Sequence, residues 1–442
     1  MISETKKYWF QNKECVDTIN LINSCKWTNN RKPVKNKEKS VGTKKIKLCP
    51  NEYQRNKLNL LIEQSRFVYN KLIESFYRKY GDDYASWANM KIGMIYGRKE
   101  WATKDAIKRK IKYGHVPKHL KLDTISGCVL SDILIDIRTA VHSTLGMLKN
   151  GRIHTFPEFK YKSYNESISI PIRKTDLNIT ENGVVLFPKL FKSTEPIKIK
   201  GLNGFEIEHD CRLQRLKNGK YYICIPIDHE KINNHKDNVE EYNVCSIDPG
   251  IRTLLTVFNP KDNTIMELGS SNDLDKLKIR LRIISALQSK IAKLSNEHGA
   301  KVRKIRNHLR RKIANMWTRI RNIRKTMHHN FSKIIIDRFD IIYLPKYEVT
   351  KFKMSNQNNK NAMLWSFFEF KQILKAKAKK YTNKEIIDCT EEYTSKVCSN
   401  CFKINENLGG SKDFICPHCH YNIDRDENGA VNILLKNLIY EP

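Results

Sequence analysis

Apolar positions recur along this chain with two different periods, and the change from one to the other divides it. Across residues 52–77, Leu58, Leu61, Ile62, Tyr69, Leu72 and Phe76 fall three and four apart, which predicts one buried face of a long helix. Ile133, Ile137, Val141, Leu145 and Leu148 predict a second, and the stretch between the two, 101–121, is rich in Lys and Arg. Residues 51–150 therefore read as a helical, basic domain. After Gly151 the period falls to two. Short alternating runs at 167–170, 183–187, 197–199 and 221–226 are separated by turn strings such as Glu181-Asn182-Gly183 and Asn218-Gly219. They predict a small antiparallel β-domain across 151–236, closed as a barrel. Residues 44–50 are expected to add one more strand, which makes the helical block an insertion into that barrel.

From residue 237 strands and helices alternate. The run 243–247 ends in Asp248-Pro249-Gly250, and 254–258 returns as its hairpin partner. Leu277, Leu281, Ile284, Ile291 and Leu294, then Val302, Ile305, Leu309, Ile313, Met316, Ile320 and Ile323, predict a helical hairpin spanning 273–330. Its second arm, 301–325, carries eleven basic residues and no acidic one, whereas a merely solvated face normally mixes both signs. Two strands are expected next, at 334–336 and 341–344, then a helix over 363–379 and a strand at 385–389. Strand, hairpin partner, helices, strand, helix, strand and final helix is the order of an RNase H-like α/β fold. Residues 237–397 and 423–442 would supply it, with 398–422 inserted before the last helix. The chain as a whole reads as multidomain α+β.

That insertion carries the most specific chemistry. Cys398-Ser399-Asn400-Cys401 and Cys416-Pro417-His418-Cys419 are two CxxC pairs separated by fourteen residues. The spacing brings four thiolates within reach of one tetrahedral Zn²⁺, which would be structural because no coordination position stays open. Two disulfides are the alternative and need an oxidising compartment; residues 1–20 lack the apolar segment of a signal peptide.

Charge adds a partner. There are 81 Lys and Arg against 47 Asp and Glu, a net charge of +34 over 442 residues. So large an excess of one sign calls for a polyanion, and nucleic acid matches it. No apolar run approaches the ~18 residues of a membrane span, so a soluble intracellular protein without a membrane partner is expected. The non-periodic basic stretch 29–47 falls largely within an expected flexible arm, 1–43.

Asp248 has two readings at this point: a turn aspartate of the common Asp-Pro-Gly string, or one of several carboxylates at strand ends that hold divalent cations for phosphodiester cleavage. The strings Ser246-Ile247-Asp248-Pro249-Gly250, then Glu392-Tyr393-Thr394-Ser395-Lys396-Val397 leading into Cys398, then Asp424-Arg425-Asp426-Glu427-Asn428-Gly429-Ala430-Val431-Asn432, resemble the RuvC-type nuclease of TnpB proteins and of their eukaryotic and giant-virus relatives, the Fanzors. The match covers residues 243–437. It implies a transposon-encoded, guide-RNA-directed DNA endonuclease cutting double-stranded DNA beside a short adjacent motif, with a β-barrel wedge domain (44–50 and 151–236), a helical recognition domain (51–150) and a zinc ribbon (398–422). It also implies a monomeric ribonucleoprotein, nuclear if of the Fanzor kind and otherwise cytoplasmic. By the same resemblance Asp248, Glu391 and Asp426 are the catalytic carboxylates and hold two Mg²⁺. Most TnpB proteins carry a second carboxylate near the position that here is Leu344; Fanzors use a glutamate on the next strand, and Glu391 matches it, with Glu348 as a rival. Asp424 competes with Asp426 as the third ligand or as a helix cap. Arg425 is a candidate phosphate contact. The competing class is a nucleic-acid-binding protein that keeps the fold without cleavage.

Overall fold

The computed structural model describes residues 39–84, 117–120, 122, 125, 127–163, 166–187, 195–199, 207–230, 232, 242–346 and 355–439. Most of the expected basic arm, and Glu348, lie outside them. The chain divides into two compact units, one of Val41–Asp228 and one holding the chain from His229 onward.

In the first unit the described strands and helices are β1 (Lys39–Cys49), α1 (Glu52–Tyr80), α2 (Gly127–Lys149), β2 (Ile168–Ile172), β3 (Leu177–Thr180), β4 (Gly183–Leu186), β5 (Lys198–Ile199), β6 (Cys211–Arg215) and β7 (Tyr221–Glu230). Helix α1 begins at Asn51, whose side chain accepts from the Gln54 N–H while the Gln54 side chain accepts from the Asn51 N–H, a reciprocal cap. Leu58, Leu61 and Ile62 of α1 and Ile133, Ile137 and Val141 of α2 share one core with Ile168, Ile170, Leu213 and Ile223 of the sheet. The five strands run in the order β2-β6-β7-β1-β5, so the two helices lie in the chain between neighbouring parts of one sheet. Among the described residues β2 and β5 are the edges of this sheet, and β3 and β4 pair as a hairpin that Val184 joins to Ile197, directly before β5, by two backbone hydrogen bonds of 3.0 and 2.8 Å. Strand β6 is missing from the sequence pattern because only two of its three buried positions, Cys211 and Leu213, are apolar; the third is Arg215, and the run is too short and too polar to stand out.

The second unit contains β8 (Val244–Pro249), β9 (Leu255–Asn259), β10 (Thr264–Leu268), α3 (Ser271–Lys293), α4 (Ala300–Arg338), β11 (Ile341–Pro345), α5 (Asn356–Trp365), α6 (Phe367–Ala378), β12 (Glu385–Cys389), β13 (Asp413–Ile415), β14 (Asn422–Asp424) and α7 (Arg425–Ile439). Its main sheet has the order β10-β9-β8-β11-β12, antiparallel across the first three strands and parallel across β8, β11 and β12. In chain order that is 3-2-1-4-5, the RNase H-like topology expected from the order of elements.

Residue parity sorts this sheet's two faces. Cys245, Ile247, Ile342 and Leu344 belong to a core shared with α3, α4, α5 and α6. Val244, Phe258, Tyr343 and Cys389 pack with Ala430, Ile433 and Leu434 of α7 on the opposite face. One expected strand is corrected: residues 334–336 belong to α4, which runs to Arg338. Ile335 and Ile336 are buried in the helical core, and β11 finds its partners in β8 and β12, so the apolar run continues the helix's inner face instead of starting a hairpin. The helix expected over 363–379 is two, broken at Ser366, whose φ of 48° is left-handed. Trp365 and Phe367 on either side of the break are both buried.

Candidate metal centres

The four cysteines of the insertion converge. Cys398 Sγ lies 3.7 Å from Cys419 Sγ and Cys401 Sγ 3.5 Å from Cys416 Sγ, and all four sulfurs lie within 4.8 Å of one another. A tetrahedral Zn²⁺ with Zn–S bonds of ~2.3 Å sets its sulfurs ~3.8 Å apart. A disulfide needs ~2.05 Å. The two CxxC loops are built alike: Phe402 N–H donates to Cys398 O and His420 N–H to Cys416 O, and Phe402 and His420 both have φ of 59°. Burial pushes the Cys398 thiol well up, whereas at Cys419 the opposing burial is outweighed by the Tyr421 backbone and by side-chain hydrogen bonds, which bring the thiol down to about 6. A cluster poised to deprotonate in part suits a cation, and the donor set fits zinc.

The second centre is acidic. Asp248 stands at the end of β8, paired with Thr256 of β9, on the face that meets α7. Helix α7 brings Asp426 in its first turn. Glu391 lies two residues beyond the end of β12. Asp248 is held well above the usual carboxylate range, first by burial and then by the negative charges of Asp426 and Glu391. Asp426 is raised by burial and by Asp424, with Arg425, Lys412 and Arg252 opposing. The structure thus brings together charges from three distant parts of the chain. It also separates the two aspartates of α7. The carboxylate of Asp424 accepts from the Asp426 N–H at 2.8 Å and pairs with Lys412 at 3.0 Å, so Asp424 caps the helix and Asp426 faces Asp248.

Leu344 stands where the resemblance to TnpB proteins expects a second carboxylate. Leu344 is fully buried on the helical face, opposite the Asp248 face; the parity of β11 puts Pro345 beside Asp248 instead. On β12 the same alternation puts Asp388 on the helical face, where Lys371 pairs with it at 2.7 Å and Lys375 also bonds it. Cys389 faces α7, and Glu391, two residues on, continues toward that side.

Of the groups around this centre, Arg252 has no sequence signal of its own, and the two glycines of the motif strings show their part only in the fold. A Cβ at Gly429 would sit 2.5 Å from Asp248 Oδ2, and one at Gly250 would sit 2.5 Å from Thr253 O and 3.5 Å from Asp426 Oδ2. Both glycines mark close approaches of backbone to a carboxylate or to its supporting turn. Arg252 and Arg425 donate to the carbonyls of Gly410 and Gly409 at 3.1 and 2.9 Å, which ties the loop between the cysteine pairs to the acidic centre. Arg425 is therefore placed next to the site, with its Nη1 engaged by the protein.

The second unit thus combines an RNase H-like sheet, carboxylates near its strand ends and a four-cysteine insertion before its last helix. Residues 224–355 match the model of the OrfB_IS605 family, described as probable transposase, and residues 367–433 match the Cas12f1-like TNB domain. Residues 224–355 are thus similar to OrfB_IS605 transposases, and the stretch similar to the Cas12f1-like TNB domain contains the four cysteines. The chain is similar to the TnpB-like protein L79 of Acanthamoeba polyphaga mimivirus, 26% identical over 435 residues that cover 95% of this chain and 77% of that protein. It is 31% identical to TnpB-like protein L770 of the same virus over 256 residues, 56% of this chain and 46% of L770. It is also 27% identical over 130 residues to the CRISPR-associated endodeoxyribonuclease Cas12f1 of Sulfoacidibacillus thermotolerans, covering 28% of this chain and 30% of that protein.

Proposed function

We propose that this protein is an RNA-guided DNA endonuclease of the TnpB type whose RuvC-like site is Asp248, Glu391 and Asp426. The observation that carries the reading is the convergence of these three carboxylates, from β8, the β12 exit and α7, around a half-buried Asp248 whose carboxyl is raised by burial and by the charges of Asp426 and Glu391. Mutual repulsion at that density needs a cation, and hard oxygen donors suit Mg²⁺. Among the described residues their oxygens do not all fall within 4.8 Å of one another, as the cysteine sulfurs do. Bound Mg²⁺ would activate water and stabilise charge on the leaving oxygen.

The protein's own part is placement. The sheet fixes Asp248, the capped first turn of α7 fixes Asp426, and Arg252 and Arg425 put positive charge beside Asp426, where a phosphate would arrive. Relatedness to Cas12f1, named an endodeoxyribonuclease, supports the nuclease reading. The resemblance to TnpB proteins supplies the guide RNA and target DNA, the wedge and recognition roles of the first unit, and zinc as a structural ion. The Glu391 arrangement is the Fanzor one, and with it would come a nuclear location addressed by the basic stretch 29–47. The protein would act as a monomeric ribonucleoprotein.

A second reading rests on the end of β11, which carries no carboxylate: a guide-bound DNA-binding protein that does not cut. The carboxylate series decides between them. With guide-matched DNA and Mg²⁺, Asp248→Ala, Glu391→Ala and Asp426→Ala are each expected to lose cleavage by at least ~100-fold with RNA and DNA binding retained, while Glu348→Ala still cuts. Inactive Glu348→Ala with active Glu391→Ala would reassign the second carboxylate. An unmodified protein that binds guide and target yet never cuts would establish the binding-only reading.

A further inference from the structure

The segment that leads from Glu391 to the first zinc knuckle lies along α7 and is held there by side chains spaced one helical turn apart. Asn428 donates to Val397 O at 2.7 Å and accepts from the Ser399 N–H at 2.9 Å. Asn432 donates to Thr394 O at 2.9 Å and to Val397 O at 2.7 Å. Lys436 donates to Glu392 O at 3.1 Å. Residues 428, 432 and 436 form a single i, i+4, i+8 stripe. The chain closes the link at its other end, where Thr394 Oγ1 donates to Glu391 O at 2.9 Å.

Both asparagines are fully buried, and Asn432 Oδ1 has no hydrogen-bond partner. An orphaned buried acceptor costs ~1–3 kcal/mol. An alanine or leucine would pack there without that cost, so what the position retains is the donor pair on Nδ2. Packing alone does not account for it. The two carbonyls it serves belong to the stretch that carries Glu391 at one end and Cys398 at the other, and the same helix carries Asp426 in its first turn.

From this, and resting on the carboxylate site proposed above, we infer that Asn428 and Asn432 are positioning residues: they lock the Glu391-to-Cys398 segment to the helix bearing Asp426, so that zinc in the four-cysteine cluster raises the affinity of the carboxylates for their divalent cation. Zinc fixes Cys398; Cys398 fixes Val397 and Ser399; the asparagines register that segment on α7; and Thr394 passes the register to Glu391. Removing zinc or the amides loosens the register of the Glu391-to-Cys398 segment on α7 while leaving Asp248 and Asp426 on the sheet and helix. Coupling between two sites is a free energy and is reciprocal, commonly ~5- to 150-fold in affinity.

The test uses the full chain freed of nucleic acid by high salt, with Mn²⁺ as the probe, its binding read from the loss of the free-ion electron paramagnetic resonance signal and zinc counted by elemental analysis. Unmodified protein is expected to bind Mn²⁺ about tenfold more tightly with zinc than after zinc removal. Asn428→Ala with Asn432→Ala is expected to hold its zinc, bind Mn²⁺ weakly, and lose the dependence of that binding on zinc. A purely structural role would not abolish that dependence. Equal Mn²⁺ affinity in the double variant, or an affinity indifferent to zinc in the unmodified chain, overturns the inference and leaves the carboxylate site standing. Asp248→Ala is the control: if it binds Mn²⁺ as the unmodified chain does, the carboxylate site itself is refuted and the inference falls with it. Should the double variant fail to fold, zinc removal from the unmodified chain at unchanged circular dichroism decides alone.

Discussion

At the scale of single residues, Gly429 shows how little of a site need be chemical. It has no side chain to offer, yet a Cβ there would lie 2.5 Å from the Asp248 carboxylate, closer than non-bonded atoms come. It is in a helix, where alanine is favoured over glycine by ~1 kcal/mol, so Gly429→Ala is expected to leave the melting temperature within a few degrees while displacing Asp248. Cleavage and Mn²⁺ affinity should fall at least about tenfold at unchanged stability. A variant with full activity would show that the carboxylate has room to move and that α7 does not fix it. The same scale separates Asp424 from Asp426. Both are acidic, two apart, at a helix start, and sequence alone leaves them interchangeable; the 2.8 Å bond from the Asp426 N–H to Asp424 and the Lys412 pair assign the cap to the first.

At the scale of elements, the chain was readable wherever burial follows one period and unreadable where two demands overlap. The paired CxxC knuckles, the tip of β8 and the RNase H-like order of elements could be read because each depends on spacing along one stretch. The misreading at 334–336 came from three isoleucines that satisfy strand propensity and the inner face of α4 equally; what decided it was the partner surface, with Ile335 and Ile336 packed in the helical core. The face of Leu344 was likewise hidden, since only the register of β11 against β8 and β12 shows which side it takes. Helix α4 also buries His328, whose ring Nε2 bonds Trp365 O at 2.9 Å, while Nδ1 lacks a partner. Burial drives its pKa from 6.5 to about 4, with Glu369 opposing and Arg324 and His329 assisting. The folded form thus stays neutral where the unfolded chain takes up a proton. The stability this group contributes is present above pH ~6.5 and is lost as pH falls toward 4, by roughly 3 kcal/mol in full. His328→Asn keeps a donor for Trp365 O without the titration. Denaturant unfolding of the two proteins across that window should show the unmodified chain losing more stability, and parallel curves would mean the imidazole is solvated.

For the whole molecule, a net charge of +34 is a statement about what the protein meets. The one-sign stretch 301–325 lies in α4, and Arg303, Lys304, Arg310 and Arg311 are exposed there. If that surface follows a phosphate backbone, each contact releases counterions. The slope of log affinity against log salt should then drop by ~0.9 per lost contact on duplex DNA and ~0.7 on a single strand. Replacing all four with Gln, which has similar helix propensity, should lower the slope by up to ~3.6 units on duplex DNA or ~2.8 on a single strand and weaken binding most at low salt, where the electrostatic share is largest. The carboxylates and cysteines are untouched by these changes, so zinc content should hold and residual cleavage should recover at high protein concentration. A slope equal to that of the unmodified protein would place the nucleic acid elsewhere and leave the basic helix as a solvated surface.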